Sequence, residues 1–164
     1  MSKVYKTNTY GMSFQAKRAQ GERFEKRVVQ ALKKMGYEAW IASGHIYDIR
    51  FNVETELLGT LPFNCECKYD DMAHSTGNLA LQTFDGGKPS GIHPQGPRPD
   101  LWVHGVGDTA WFIKTDIIRS LVEMHAQSWG GKVISMGDKG PDAKGILMPI
   151  SVAKKAEGGT WLDL

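Results

Sequence analysis

The 164-residue chain is expected to adopt an α/β fold, with a mixed sheet of about five strands flanked by helices. Three observations carry this expectation. Phe24, Val28, Leu32 and Met35 recur at helical spacing near the N-terminus. Short β-branched and aromatic runs then follow one another, separated by glycine and proline turns. A second helical stripe of Ile117, Ile118, Leu121 and Val122 follows Thr115. A hydrophobic fraction of 41% and a charged fraction of 23% suit a soluble globular chain, and the length suits one domain with a real core. Residues 1–164 are therefore read as a single domain.

Taken in order, residues 1–12 show no period and are expected to form a flexible arm. A helix is expected over 14–35, well formed from about Gly21, with Gly36 as its stop. A short strand over 37–42 leads through Ser43-Gly44 to a second over 45–53, which places Asp48 mid-strand, where aspartate is disfavoured. Residues 52–60 are read as the turn region before a strand over 63–70. Further strands are expected at 78–84, 101–104, 110–114, 133–136 and 146–152, with a helix capped by Thr115 running to about Gln127. Between Asp85 and Pro99 lie four glycines and four prolines, a composition that marks a functional loop.

The strand Phe63-Asn64-Cys65-Glu66-Cys67-Lys68-Tyr69-Asp70 holds the chemistry. Alternation puts Glu66, Lys68 and Asp70 on one face and Cys65, Cys67 and Tyr69 on the other. Charges are costly to bury without partners, so the Glu66–Lys68 pair needs a reason. A structural ion pair is the plainest one. Charge distribution adds another. Residues 1–34 carry nine bases against two acids, which is +7, and the net charge of +2 leaves −5 for the remainder. A basic N-terminal region fits a polyanion partner, or simply a solvated helix face.

The order of these features, a helix bearing Glu25, a strand bearing Asp48 and a strand bearing Glu66-x-Lys68, resembles the PD-(D/E)XK nuclease superfamily. Gly21-Glu22-Arg23-Phe24-Glu25 followed by Gly36-Tyr37 is similar to the first helix of archaeal Holliday junction resolvases. Thr76-Gly77-Asn78, Pro89-Ser90-Gly91-Ile92 and Pro99-Asp100-Leu101-Trp102-Val103 resemble phage-encoded endonucleases of the superfamily. The resemblance implies a restriction-endonuclease-like core and a metal-dependent DNA endonuclease. It further implies Mg²⁺ or Mn²⁺ held by Asp48, Glu66, the Cys67 backbone carbonyl and Glu25, with Lys68 assisting the attacking water. DNA, branched or duplex, is the implied partner, and a homodimer is implied by symmetric junction cutting. Lys17, Arg18, Arg23, Lys26, Lys88 and Arg98 are the candidate phosphate contacts. An exonuclease or restriction-type enzyme, or a non-catalytic nucleic-acid-binding protein, are the alternatives on the same core.

Tyr47-Asp48 stands where the superfamily commonly has Pro-Asp, and Gln82 where the phage-like pattern has a glutamate. Gln82, Glu22 and Asp70 are accordingly open candidates. Cys65 and Cys67 with His45 or His74 form a minor zinc alternative, set against two small core residues. His74, His93 and His104 are lone histidines, and Trp102, Trp111 and Phe112 are read as core or dimer interface. Two cysteines two apart on one strand are ill placed for a mutual disulfide, and no apolar run nears the roughly 20 residues of a membrane span. The expected location is the cytoplasm, host cytoplasm for a phage-encoded protein.

Overall fold

The computed structural model describes residues 13–44, 46–131, 133–136 and 142–164. The arm expected over 1–12, and His45, lie outside the described residues. In chain order the elements are α1 (Phe14–Lys34), β1 (Glu38–Ile41), β2 (Ile49–Thr55), β3 (Gly59–Tyr69), α2 (Ala73–Thr76), β4 (Asn78–Asp85) and β5 (Lys88–Pro89). Then come β6 (Leu101–Val106), β7 (Thr109–Lys114), α3 (Thr115–His125), a 3₁₀ turn (Ala126–Trp129), β8 (Val133–Ser135), β9 (Lys144–Pro149), α4 (Ile150–Lys155) and β10 (Thr160–Asp163). The main sheet has six strands in the order β1-β2-β3-β6-β7-β10, and a second sheet has four in the order β5-β4-β9-β8. Among the described residues, only β3 and β6 pair in parallel. A parallel pair needs a long crossover, and residues 70–100 supply it through α2, β4, β5 and the glycine- and proline-rich loop. The expected mixed sheet flanked by helices is thus present, with six strands in place of about five.

Helix α1 starts at Ser13, whose Oγ accepts from the Ala16 N–H at 3.2 Å, and stops at Gly36, whose φ of 93° suits glycine. It passes unbroken through Gly21. A mid-helix glycine costs only about 1 kcal/mol relative to alanine, and buried Phe24, Val28, Val29 and Leu32 anchor the helix beyond it. These side chains pack on one face of the main sheet against Ile49, Phe51, Cys65, Cys67 and Val103. The opposite face buries Trp102, Trp111 and Ile113 with Leu79, Leu81, Ile92, Ile118 and Met148. Burial on both faces explains why β6 and β7 are so nearly apolar throughout.

Several boundaries differ from expectation. β2 begins at Ile49, so Asp48 precedes the strand, and the turn occupies 56–58. β3 begins at Gly59 and takes in Pro62, opposite Asn52. Proline is tolerated there because β6 joins β3 only from Cys65 onward, leaving the earlier stretch with one neighbour. Residues 150–155 leave β9 as helix α4, and β10 was not expected at all; its Trp161 stacks on Trp111 with centroids 6.1 Å apart. Thr115 does not cap α3. It is buried inside the first turn, and its N–H bonds the Asp100 carbonyl at 3.1 Å.

The long loop is tied down. Arg119, buried on α3, donates to the carbonyls of Ile92, Gly91 and Pro97 at 3.1, 3.2 and 2.6 Å. Burial, and then the nearby Arg98 guanidinium, lowers its pKa from the usual arginine value. Gly91 has a φ of 54° and lies so close to the Gln82 carbonyl that a Cβ there would collide with it. Tyr47 reaches the far end of the loop, donating to the Arg98 carbonyl at 3.4 Å.

Gly105 on β6 sets the height of α1, since a Cβ there would strike the Phe24 ring. Gly105→Ala should therefore lower stability by about 1–3 kcal/mol through overpacking, measured by thermal or urea unfolding. Unchanged stability would mean that α1 does not rest on this contact.

Candidate functional site

The site begins where β2 leaves its ladder with β3. Pairing ends at Ile49–Cys65. Just beyond, the Asp48 N–H donates to the Cys65 carbonyl at 3.0 Å, and the Asp48 carboxylate accepts the Cys67 N–H at 2.7 Å. The aspartate side chain thus bonds the β3 main chain just past the end of the β2–β3 ladder. This explains an aspartate here better than a mid-strand position does.

Glu25 follows Phe24 on α1 and is half-buried. Its pKa is raised to about 7 by burial first, then by the negative charges of Asp48 and Glu22. The buried Cys67 thiol is pushed well up by burial and then by the charges of Asp48, Cys65, Glu25 and Glu66. Of these carboxylates, Asp48 touches Cys67 directly, through the N–H. Glu66 and Lys68 lie on the opposite face of β3 from Cys67, both half-buried, in register with Trp102 and His104 of β6.

Oxygen-rich and anionic, these side chains are of the kind that hard divalent cations prefer, and a cation would offset the Asp48 and Glu22 charges that add to burial in raising Glu25. Among the described residues, however, no group of three or more histidines, cysteines, aspartates or glutamates stands ready placed to hold a metal ion. Zinc is poorly served. Cys65 and Cys67 are buried in the α1 core with thiols pushed above their ordinary value by burial, whereas zinc takes thiolates. His74 is exposed on α2, and His45 lies outside the described residues.

The open candidates separate. Glu22 is exposed and pairs with Arg18 at 3.1 Å, one turn along α1. Gln82 is buried in β4, its Nε2 turned to the Phe84 carbonyl at 3.4 Å. Asp70 is no solvated strand end: its side chain is 8% exposed. Oδ1 accepts the N–H groups of Met72 and Ala73 at 3.1 and 3.0 Å, and Oδ2 accepts that of Ala80 at 2.8 Å. His104 Nε2 stands 3.3 Å from Oδ2. Burial alone would raise the Asp70 carboxyl, but His104 and the Ala80 and Met72 N–H groups outweigh it and hold it below the ordinary value.

Arg18, Arg23 and Lys26 are exposed on α1, where Lys17 is half-buried, and Lys88 and Arg98 are exposed on β5 and the loop. Asp100 proves structural, exchanging bonds with Asn64 at the mouth of the parallel pair through its N–H at 2.8 Å and its carboxylate at 2.7 Å. Arg119 escaped sequence reading. Its only signal was its place on the buried stripe of α3 with Thr115 and Ile118. A cavity of about 340 Å³ lies between α1 and β10, lined in part by Arg27, Ala31, Lys34 and Leu162, and none of the candidate residues borders it. Among the described residues, no helix is long and apolar enough to cross a membrane.

No family model matches the chain, and no curated protein matches it. Among solved structures it is similar to a bacterial homing endonuclease. That protein, I-Ssp6803I, shares 17% identity and a TM-score of 0.47 over 63% of this chain and 72% of its own.

Glu25 makes the site pH-sensitive. Its folded pKa is raised, so between pH 4.5 and about 7 the folded state binds a proton the unfolded state has lost, and stability falls as pH rises through that window. Glu25→Gln removes this penalty. Its Tm should exceed that of the wild type at about pH 8, with the gap closing by about pH 4. Parallel pH profiles for the two proteins would contradict the assignment.

Proposed function

We propose that this chain is a metal-dependent DNA endonuclease, most like a Holliday junction resolvase or a phage recombination nuclease. The supporting observation is the Asp48 carboxylate bonded at 2.7 Å to the Cys67 N–H, on the β3 main chain between Glu66 and Lys68. Mg²⁺ or Mn²⁺ would be held by Asp48, Glu66, the Cys67 carbonyl and Glu25, the last directly or through water. Bound there, such an ion neutralises charge on the phosphate and makes water more acidic. Lys68 opposes the negative charge that builds on the phosphate oxygens and orients the attacking water. In the hydrolysis, the water oxygen bonds to phosphorus and the bond to the leaving sugar oxygen breaks. That oxygen departs with a proton.

Lys17, Arg18, Arg23, Lys26, Lys88 and Arg98 would grip backbone phosphates and fix the register of the duplex without reading its bases. Cutting two symmetric strands calls for a homodimer, and the cytoplasm is the proposed location. An exonuclease or restriction-type enzyme is the nearest variant of this reading, and a non-catalytic nucleic-acid-binding protein the variant of another class.

A panel of junction, flap, single-stranded and linear duplex DNA with Mg²⁺ or Mn²⁺ separates them. Junction-selective cutting that stops with a chelator is the expected result, whereas nucleotide loss from ends identifies an exonuclease. Asp48→Ala, Glu66→Ala and Lys68→Ala should each slow cutting by about 100-fold or more. Binding should weaken with salt at a log–log slope of about −5 if all six cations touch duplex phosphates. A protein that cuts nothing, or one whose Asp48→Ala and Glu66→Ala variants cut as before, sinks the nuclease reading.

A further inference from the structure

The face of β3 that carries Glu66 and Lys68 borders a chain of buried polar side chains with no role in the mechanism above. Trp102 and His104 are fully buried on β6, in register with Glu66 and Lys68 respectively, and register partners in a sheet point to the same face. The Trp102 indole N–H donates to His104 Nδ1 at 3.2 Å. An indole N–H can only donate, so Nδ1 must be bare, and the ring proton sits on Nε2, facing Asp70 Oδ2 at 3.3 Å. The order is fixed: Trp102 to His104 to Asp70.

Asp70 cannot be a metal ligand as it stands. Its two oxygens already meet four donors, the N–H groups of Met72, Ala73 and Ala80 and the His104 ring, and a carboxylate has about four lone-pair sites. Its position is equally constrained, because the Asp70 N–H bonds the Gly105 carbonyl at 2.9 Å. Strand β3 is thus locked to β6 one residue past its end, through both main chain and side chain.

We propose that Asp70, His104 and Trp102 are the positioning network for Glu66 and Lys68, an inference that rests on the nuclease reading. The Trp102 ring forms a fixed wall beside Glu66 and the His104 ring one beside Lys68, each held in a single orientation by the hydrogen bond between them. Catalytic groups need placement within about 0.5 Å, and a 1 Å error can cost about 100-fold in rate. Asp70 is therefore a positioning residue. It touches neither substrate nor metal.

The test compares variants by kcat and KM on the preferred DNA, with thermal unfolding as a check on folding. His104→Met fills the volume but offers neither hydrogen bond, and is expected to lower kcat by about 10- to 100-fold with KM little changed. His104→Gln, which presents a donor to Asp70 and an acceptor to Trp102, should recover most of that loss. A folded His104→Met with wild-type kcat, or a Gln variant no better than Met, overturns the proposal. If His104→Met does not fold, Trp102→Phe removes one N–H and keeps a ring; it should lower kcat several-fold, and an unchanged kcat overturns the proposal. A wild type that cuts no DNA sinks the nuclease reading separately. In that case the amide NMR signals of Cys67 and Lys68 decide whether the network positions the strand: they should shift in Trp102→Phe, and unmoved signals overturn the positioning role.

Discussion

Desolvation of one carboxylate, that of Asp70, is the condition on which the two sheets meet. A buried carboxylate without partners would be costly enough to abandon its charge. Asp70 keeps it, because N–H groups from the start of α2 and from β4 converge on it together with the His104 ring of β6. Those donors belong to three different elements. Any arrangement that satisfies the carboxylate must therefore bring the end of β3, the second sheet and the parallel strand β6 to one point. Four donors on one acceptor specify a geometry more tightly than apolar packing does, because each bond is directional.

Glu25 obeys the same physics with the opposite result. Asp70 is surrounded by donors and held below its ordinary pKa; Glu25 is raised to about 7 by burial first and then by the charges of Asp48 and Glu22. What brings Glu25 into that company is the closeness of α1 to the sheet. Gly105 leaves room for the Phe24 ring, and Cys65 and Cys67 present small side chains beneath the helix. With the helix this low, the residue after Phe24 comes within electrostatic reach of Asp48 and Cys67. Close packing and charge crowding are one feature seen twice. A structure optimised for stability alone would avoid it, and such conflicts concentrate at functional sites.

The two faces of β3 were legible in the sequence because side-chain alternation is a property of the strand itself. Cys65 and Cys67 lie in the α1 core and Glu66 and Lys68 on the other side, as the period of two requires. Helix α1 was legible from its stripe for the same reason. Local pattern does not encode register between strands distant in the chain, so nothing in the residues told that Glu66 would lie beside Trp102, or that Asp70 would meet His104 across 34 positions. Strand β10 was invisible because Thr160-Trp161-Leu162-Asp163 is short and takes its identity from β7. Asp48 was misplaced into the strand because a carboxylate bonding a backbone N–H and an ordinary strand residue look identical in sequence.

The long loop makes the same point about rigidity. Its glycines and prolines mark a functional loop, and it is a rigid one: Arg119 spans three of its carbonyls, and Ile92 is buried in the core. The Ile92 N–H bonds Gln82 on β4 at 2.9 Å, and Tyr47, next to Asp48, holds the Arg98 carbonyl. Proline and glycine here serve to fit a fixed path, including the close pass of Gly91 over β4. The consequence falls on the exposed Arg98 side chain. Its backbone is already ordered on the scaffold that carries Asp48, so a contact with an anionic ligand would cost only side-chain entropy. A cation on a loose loop would lose backbone freedom as well, and its contact would be weaker for identical geometry. The rigidity that Arg119 imposes from α3 is what would let an exposed arginine at the loop's end serve as an anion contact.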